Sequence, residues 1–186
     1  MTINLTQKER MLLQDQISHE KICIEKYNNY ANQTQDPQLK QLLQTYARQE
    51  EQHLNTLNQI LSGKMPNVQQ QQQGQQQQLQ GQQQQGQQQQ GQQQQQQMQQ
   101  QQYAGVQGMT QAAGTQAGMT GGQRDHSLCN DLLMTEKYVS NTYDTAIFEF
   151  TNSNIRQILN HIQKEEQQHG EGIFNYMQSR GMYNPQ

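Results

Sequence analysis

The chain has 186 residues, 15% of them charged, and a formal net charge of −3. A weak negative charge with no basic patch argues against a nucleic-acid partner. No apolar run nears the ~20 residues of a membrane span, and the opening MTINLTQKER lacks the apolar core of a signal peptide.

Thr6-Gln7-Lys8-Glu9 has capping-box form, so a first helix is predicted from Thr6 to about Asn32. Asp36-Pro37 supplies an N-cap and a proline at the first helical position, opening a second helix that runs to about Leu61. Ser62-Gly63 stops it, with Pro66 beyond. Residues 69–102 are then almost all Gln, and 103–122 are rich in Gly, Ala, Thr and Gln. Such stretches bury too little apolar surface to offset the entropy of ordering them. A third helix is expected from about Ser127 and a fourth from about Asn154, ending at Gly181. Gly170 and Gly172 lie inside the fourth and are expected to weaken it. The chain thus divides into a helical hairpin over 5–62, a disordered Gln/Gly-rich linker over 63–126, and a second hairpin over 127–183.

The two hairpins are repeats. A shift of 116 positions places Glu20-Lys21 on Glu136-Lys137, Tyr27 on Tyr143, and Glu50 and His53 on Glu166 and His169, without a gap. Each helix also carries one stripe at alternating spacings of three and four. These stripes are Leu13, Ile17, Glu20, Ile24, Tyr27 and Ala31; Leu39, Leu43, Tyr46, Glu50, His53, Leu57 and Ile60; Cys129, Leu133, Glu136, Ser140, Tyr143, Ile147 and Phe150; and Ile155, Leu159, Ile162, Glu166, His169, Ile173 and Tyr176. Such stripes are bundle seams. Neither hairpin can cover its own seam, so a four-helix bundle is expected, within one chain or swapped between chains.

Six polar residues stand in the seams: Glu20, Glu50, His53, Glu136, Glu166 and His169. Glu25, Glu51 and Glu165 fall outside them. A buried carboxylate without a partner costs several kcal/mol, so the six must meet one another or a cation. Glu20 and Glu50 are about equally far from the first turn. At about 1.5 Å per residue they stand at one height. Glu136 and Glu166 do the same around the second turn. The i, i+3 spacing puts each Glu-x-x-His pair on one face. One Glu from each of two helices plus Glu-x-x-His from the other two is the ligand set of ferritin-like di-metal bundles. This donor set suits iron or manganese better than a closed structural zinc site. The same six residues also fit a hydrogen-bonded polar network, or a relic site that has kept its residues and lost its activity. Tyr27 and Tyr143, two turns from the glutamates of their own helices, are candidate supporting groups.

Other residues carry less. His19, His126 and His161 fall outside the register and are expected at the surface or at caps. Cys129 is expected to be buried, whereas Cys23 offers a weak case for cross-linking chains under oxidation. The methionines outside the insert are read as packing residues. The glutamine tract serves either as a tether or in assembly, through amide hydrogen bonding.

The run NDLLMTEKYVSNTYDTAIFEFTNSNIRQILNHIQKEEQQHGEGIFNYMQSRGMYNP resembles the coat F domain of the spore coat protein F family of endospore-forming bacteria. The carrying features are DLL, the Lys-Tyr pair with Tyr143 after it, the asparagine-rich hinge before Ile155-Arg156, and the ending NYMQSRGMY. The N-terminal half looks like the ferritin-like hairpin that often precedes that domain. The resemblance implies an all-α, ferritin-like four-helix bundle. It also implies a place in the spore coat after synthesis in the mother-cell cytoplasm, with other coat proteins or further copies of the chain as partners. It does not by itself establish an enzyme activity. A structural or assembly role is therefore expected first. A di-iron or di-manganese coat enzyme of peroxide-dismutating or oxidase type comes second, and simple metal storage third.

Overall fold

Side-chain caps open three of the four helices. A computed structural model of the chain describes residues 3–66 and 121–183. Helix α1 spans Gln7–Gln33, α2 Pro37–Leu61, α3 Gly121–Glu149 and α4 Ser153–Ser179. Among the described residues there is no strand. The Thr6/Glu9 capping box forms in full. Asp36 caps α2 by accepting from the N–H groups of Gln38 and Leu39, and Asn152 caps α4 in the same way. Gly63 and Gly181, at φ 82° and 68°, take the left-handed turns that follow α2 and α4.

The glutamine tract, and the tether or assembly role read into it, lies outside the described residues. The expected linker, however, ends too late. Residues 121–126, expected in the linker, form the first turns of α3. Gly121 and Gly122 are poor helix formers and no seam residue precedes Cys129, so local signals pointed elsewhere. Asp125, one turn before Cys129, is buried against the end of the bundle.

Helices α1 and α3 pack antiparallel. Gln16 meets Thr142, Tyr27 meets Glu136, and Lys26 meets Asp131, with partners running in opposite directions. Helices α2 and α4 do likewise, from Asp36–Tyr176 at one end to His53–Glu165. Each hairpin therefore lays its seam on the other, and the two pack as one unit. Leu13, Leu39, Leu43, Leu57, Leu159 and Ile173 are fully buried. Each such side chain contributes roughly 1.5–3 kcal/mol.

The buried stripe is wider than the seam on α1. Cys23 is buried and Ile24 only half-buried, the reverse of the expected order. Cys23 is thus out of reach of another chain, and its thiol is pushed far up, first by burial and then by the charges of Glu50 and Glu136. Cys129 is buried, as its seam position implies. Met177 packs in the core, but Met11 and Met134 are exposed, so the packing role fails for those two. Helix α4 runs unbroken through Gly170 and Gly172.

Candidate metal centre

Each of the six seam residues reaches the middle of the bundle. Glu20 comes from α1, Glu50 and His53 from α2, Glu136 from α3, and Glu166 and His169 from α4. None is more than 4% exposed. They form two overlapping groups, Glu20/Glu50/His53/Glu166 and Glu50/Glu136/Glu166/His169, and the ligand atoms within each lie within 4.8 Å of one another. Glu50 and Glu166 belong to both groups. Glu20 with His53, and Glu136 with His169, stand at the two ends.

The imidazoles are held from outside. His53 Nε2 lies 2.9 Å from Glu165 Oε2, and His169 Nε2 lies 3.1 Å from Gln49 Oε1. Both partners accept, so each Nε2 carries the hydrogen. Each Nδ1 then turns a lone pair, or a second proton, toward the carboxylates. His53 Nδ1 is 2.9 Å from Glu166 Oε1, 3.3 Å from Glu50 Oε2 and 3.5 Å from Glu20 Oε2. His169 Nδ1 is 2.9 Å from Glu50 Oε1, 3.8 Å from Glu166 Oε2 and 3.9 Å from Glu136 Oε2. One ring nitrogen facing three carboxylates is the geometry of a ligand set, and an outward N–H on a carboxylate or carbonyl is how ligating histidines are oriented.

Two tyrosines pin the end carboxylates, each from the opposite hairpin. Tyr27 donates to Glu136 Oε1 and Tyr143 donates to Glu20 Oε1. Both rings are fully buried. A tyrosine on α1 thus serves α3, and its counterpart on α3 serves α1.

Electrostatics make the cluster frustrated. Burial raises Glu20 well above the ordinary carboxyl value, and the charges of Glu50 and Glu166 add to it. Glu136 is raised by burial and by the charges of Glu166 and Glu50. Burial works to raise Glu50 too, but hydrogen bonds from His169 and His53 outweigh it and hold it low. Burial pulls both histidines down, and their carboxylate neighbours overcome it. His53 ends well above its usual range, and His169 is pushed up to about 9.

Glu165 corrects the sequence reading. It was placed outside the seam, yet it is buried and bonded to His53. It sits next to Glu166, at the edge of the inward face. At the matching position of the first repeat stands Gln49. The repeat alignment contained this pair, but only as an unremarkable Gln/Glu exchange. His161 lies half-buried with Nε2 3.5 Å from the same Glu165 oxygen. Glu25 and Glu51 are exposed, as their register implies.

Tyr46, a seam residue by its spacing, is half-buried. Its ring lies against His169, 4.3 Å between centroids. Gly172 makes that position possible, because a Cβ there would fall 1.7 Å from the Tyr46 hydroxyl oxygen. The glycine expected to weaken α4 instead gives room to a ring that covers a centre histidine.

The residues fit a pair of cations. Glu20 Oε2, Glu136 Oε2 and Glu166 Oε2 are buried with no hydrogen-bond partner, and Glu166 Oε1 has only the His53 ring nitrogen beside it. Held as carboxylates without a partner, such groups are strongly unfavourable. Two divalent ions would balance four carboxylates, use both Nδ1 lone pairs, and engage these oxygens.

The structure therefore defines a class: a four-helix bundle of two repeated hairpins with a buried carboxylate–histidine centre between them. The sequence model of the Coat F domain matches residues 8–64 and 124–186, and the chain belongs to that family. The match takes in both hairpins, so the family extends to the first hairpin as well as to the second, where the resemblance was read. Membership implies a place in the spore coat. Neither the curated proteins nor the solved structures include a match. Among the described residues no helix is long and apolar enough to cross a membrane.

Proposed function

We propose that this chain is a structural or assembly protein of the spore coat whose ferritin-like bundle holds two divalent transition-metal ions, iron or manganese. Glu50 and Glu166, common to both groups, would serve both ions, while Glu20 with His53 and Glu136 with His169 would complete the two ends. The observation that carries this reading is the orientation of the histidines. Both Nε2–H groups are tied outward, and both Nδ1 atoms face carboxylate oxygens that have too few donors. A polar network would close on itself with hydrogen bonds, whereas Glu136 Oε2 and Glu166 Oε2 lie 3.9 and 3.8 Å from the His169 ring nitrogen, too far for one. Bound ions would tie all four helices together and stabilise the bundle by mass action. The glutamine tract at 69–102 is proposed to serve assembly, with other coat proteins or further copies of the chain as partners.

A second reading makes the centre catalytic, in a peroxide-dismutating or oxidase-type enzyme. It is favoured by the donor count. Each ion would receive one imidazole and three carboxylates, two of them shared. Octahedral manganese or iron would then keep positions open for an outside ligand. There the ions would supply redox change. The chain's own part would be to orient the carboxylates through Tyr27 and Tyr143 and to exclude bulk water.

One preparation separates the readings. The protein is purified from cells grown with iron and manganese, and bound metal and peroxide consumption are measured per chain. Two ions without peroxide consumption support the structural role, and two ions with rapid consumption support the enzyme. A folded, metal-free protein that still assembles sinks the metal centre under both.

A further inference from the structure

The two repeats build matching halves of the centre, but they do not cover it equally. Between α3 and α4 lies a cleft of about 470 Å³. Glu136 and Glu166 line it at depth, Ser140 and Gly170 form half-buried walls, and Lys137 and Asp144 are exposed at its rim. Glu136 Oε2 and Glu166 Oε2 are buried without a hydrogen-bond partner, so the cleft runs from solvent toward carboxylates with acceptor capacity unused.

The other hairpin has no such openness in its sequence. At the repeat positions of Ser140 and Gly170 stand Ile24 and Leu54, both half-buried. Lys21 and Glu20 match Lys137 and Glu136, while Asn28 stands at the position of Asp144, so the first hairpin differs in bulk and lacks the rim carboxylate. The glycine is not required by backbone shape, since it sits inside α4 without a positive φ. Nor is it required by crowding. A Cβ at Gly170 would meet only Leu133 Cδ1 at 3.7 Å and Glu136 Cβ at 3.8 Å, ordinary contacts. What the missing side chain provides is space.

Resting on the two-ion reading, we propose that the α3–α4 cleft is the portal through which hydrated divalent cations load the centre. Ser140 and Gly170 hold it open, and beyond Asp144 at the rim Glu136 is the first buried carboxylate the cation meets. Loading is one-sided: Ile24 and Leu54 close the matching route between α1 and α2. The carboxylates at the inner end select for cations, and the small walls admit an ion that still carries part of its water shell. Both ions would enter past Glu136, and one would pass Glu50 and Glu166, which belong to both groups, to reach the Glu20/His53 end.

The test plugs the portal with the residues of the opposite hairpin. Metal-free full-length protein is mixed with Co2+, and the growth of its ligand-field absorption is followed by stopped flow. Gly170→Leu, and separately Ser140→Ile, should slow uptake roughly tenfold or more, because loading then waits on local opening of the bundle. The final number of ions bound should not change. Adding Ile24→Ser with Leu54→Gly to a plugged variant should restore the rate by opening the other side. Helical circular dichroism confirms that each variant is folded, and two different plugs guard against one that is not. Folded plugged variants that load at the wild-type rate overturn the portal and leave the two-ion reading standing. A reduced ion count at an unchanged rate also overturns it, since the wall residues would then belong to the site itself. Wild-type protein that takes up no Co2+ removes the two-ion reading, and the portal with it.

Discussion

Glu165→Gln makes the two halves of the centre alike. Glu165 Oε2 holds His53 Nε2 at 2.9 Å, whereas Gln49 Oε1 holds His169 Nε2 at 3.1 Å from the matching position. A carboxylate partner raises the basicity of the ring more than an amide does. Loss of such a partner costs roughly 10–100-fold in metal affinity, or about 1.4–2.7 kcal/mol. Calorimetric titration of the metal-free protein with Mn2+ should show two unequal steps. In Glu165→Gln the tighter step should weaken by roughly 10–100-fold. In Gln49→Glu the weaker step should strengthen. Repulsion between the two ions weakens the second step whatever the partners are, so each step is compared with its own wild-type value. Glutamine conserves the shape of Glu165, and the fold of the variant should be unaffected. If Glu165→Gln leaves both steps unchanged, the assignment of Glu165 as the group that orients His53 toward an ion is refuted.

Other substitutions probe the surroundings. Tyr143→Phe removes the donor to Glu20 Oε1 and should destabilise the metal-free protein by about 1–3 kcal/mol in urea unfolding, with the helices retained. Gly172→Ala drives a methyl into the Tyr46 hydroxyl and should cost roughly 1–3 kcal/mol. Adding Tyr46→Phe should recover part of that loss, because the next nearest ring atom lies at 3.0 Å. Glu9 bridges Thr6 and the Thr151 N–H at the α3–α4 turn. Burial works to raise its carboxyl, but these hydrogen bonds prevail and hold it below the ordinary 4.5. A depressed folded-state value means that this stabilisation is complete above pH 4.5 and is lost as pH falls through the lower folded-state value. Urea midpoints should therefore fall less steeply with acid in Glu9→Gln than in wild type.

Much of the fold was legible because its signals are local. Thr6, Asp36-Pro37 and the Ser62-Gly63 pair mark helix ends through side chains and dihedrals that act within a turn. The seams were legible because one period ran through all four helices, and the repeat aligned the six central residues without a gap. What failed depends on neighbours from other helices. Cys23 and Glu165 sit beside the strict seam, and only the packing of a second hairpin decides that they are covered. Gly172 read as a weak point because helix propensity says nothing of Tyr46 on α2. The early start of α3 was hidden because Gly121-Gly122 argues locally against helix, while Asp125 gains its burial from the rest of the bundle. The tyrosines were recognised as supporting groups, but their crossing from one hairpin to the other was visible only in the structure.

The central claim is that the bundle holds two ions between Glu50 and Glu166. Crystals grown from protein loaded with Mn2+ or Fe2+, measured at the metal absorption edge, test it most directly. The account predicts two anomalous peaks per bundle, about 3.5–4 Å apart. One should lie beside His53 and Glu20, the other beside His169 and Glu136. An intact bundle with no anomalous peak in the seam, and its histidines hydrogen-bonded to the carboxylates, would contradict it.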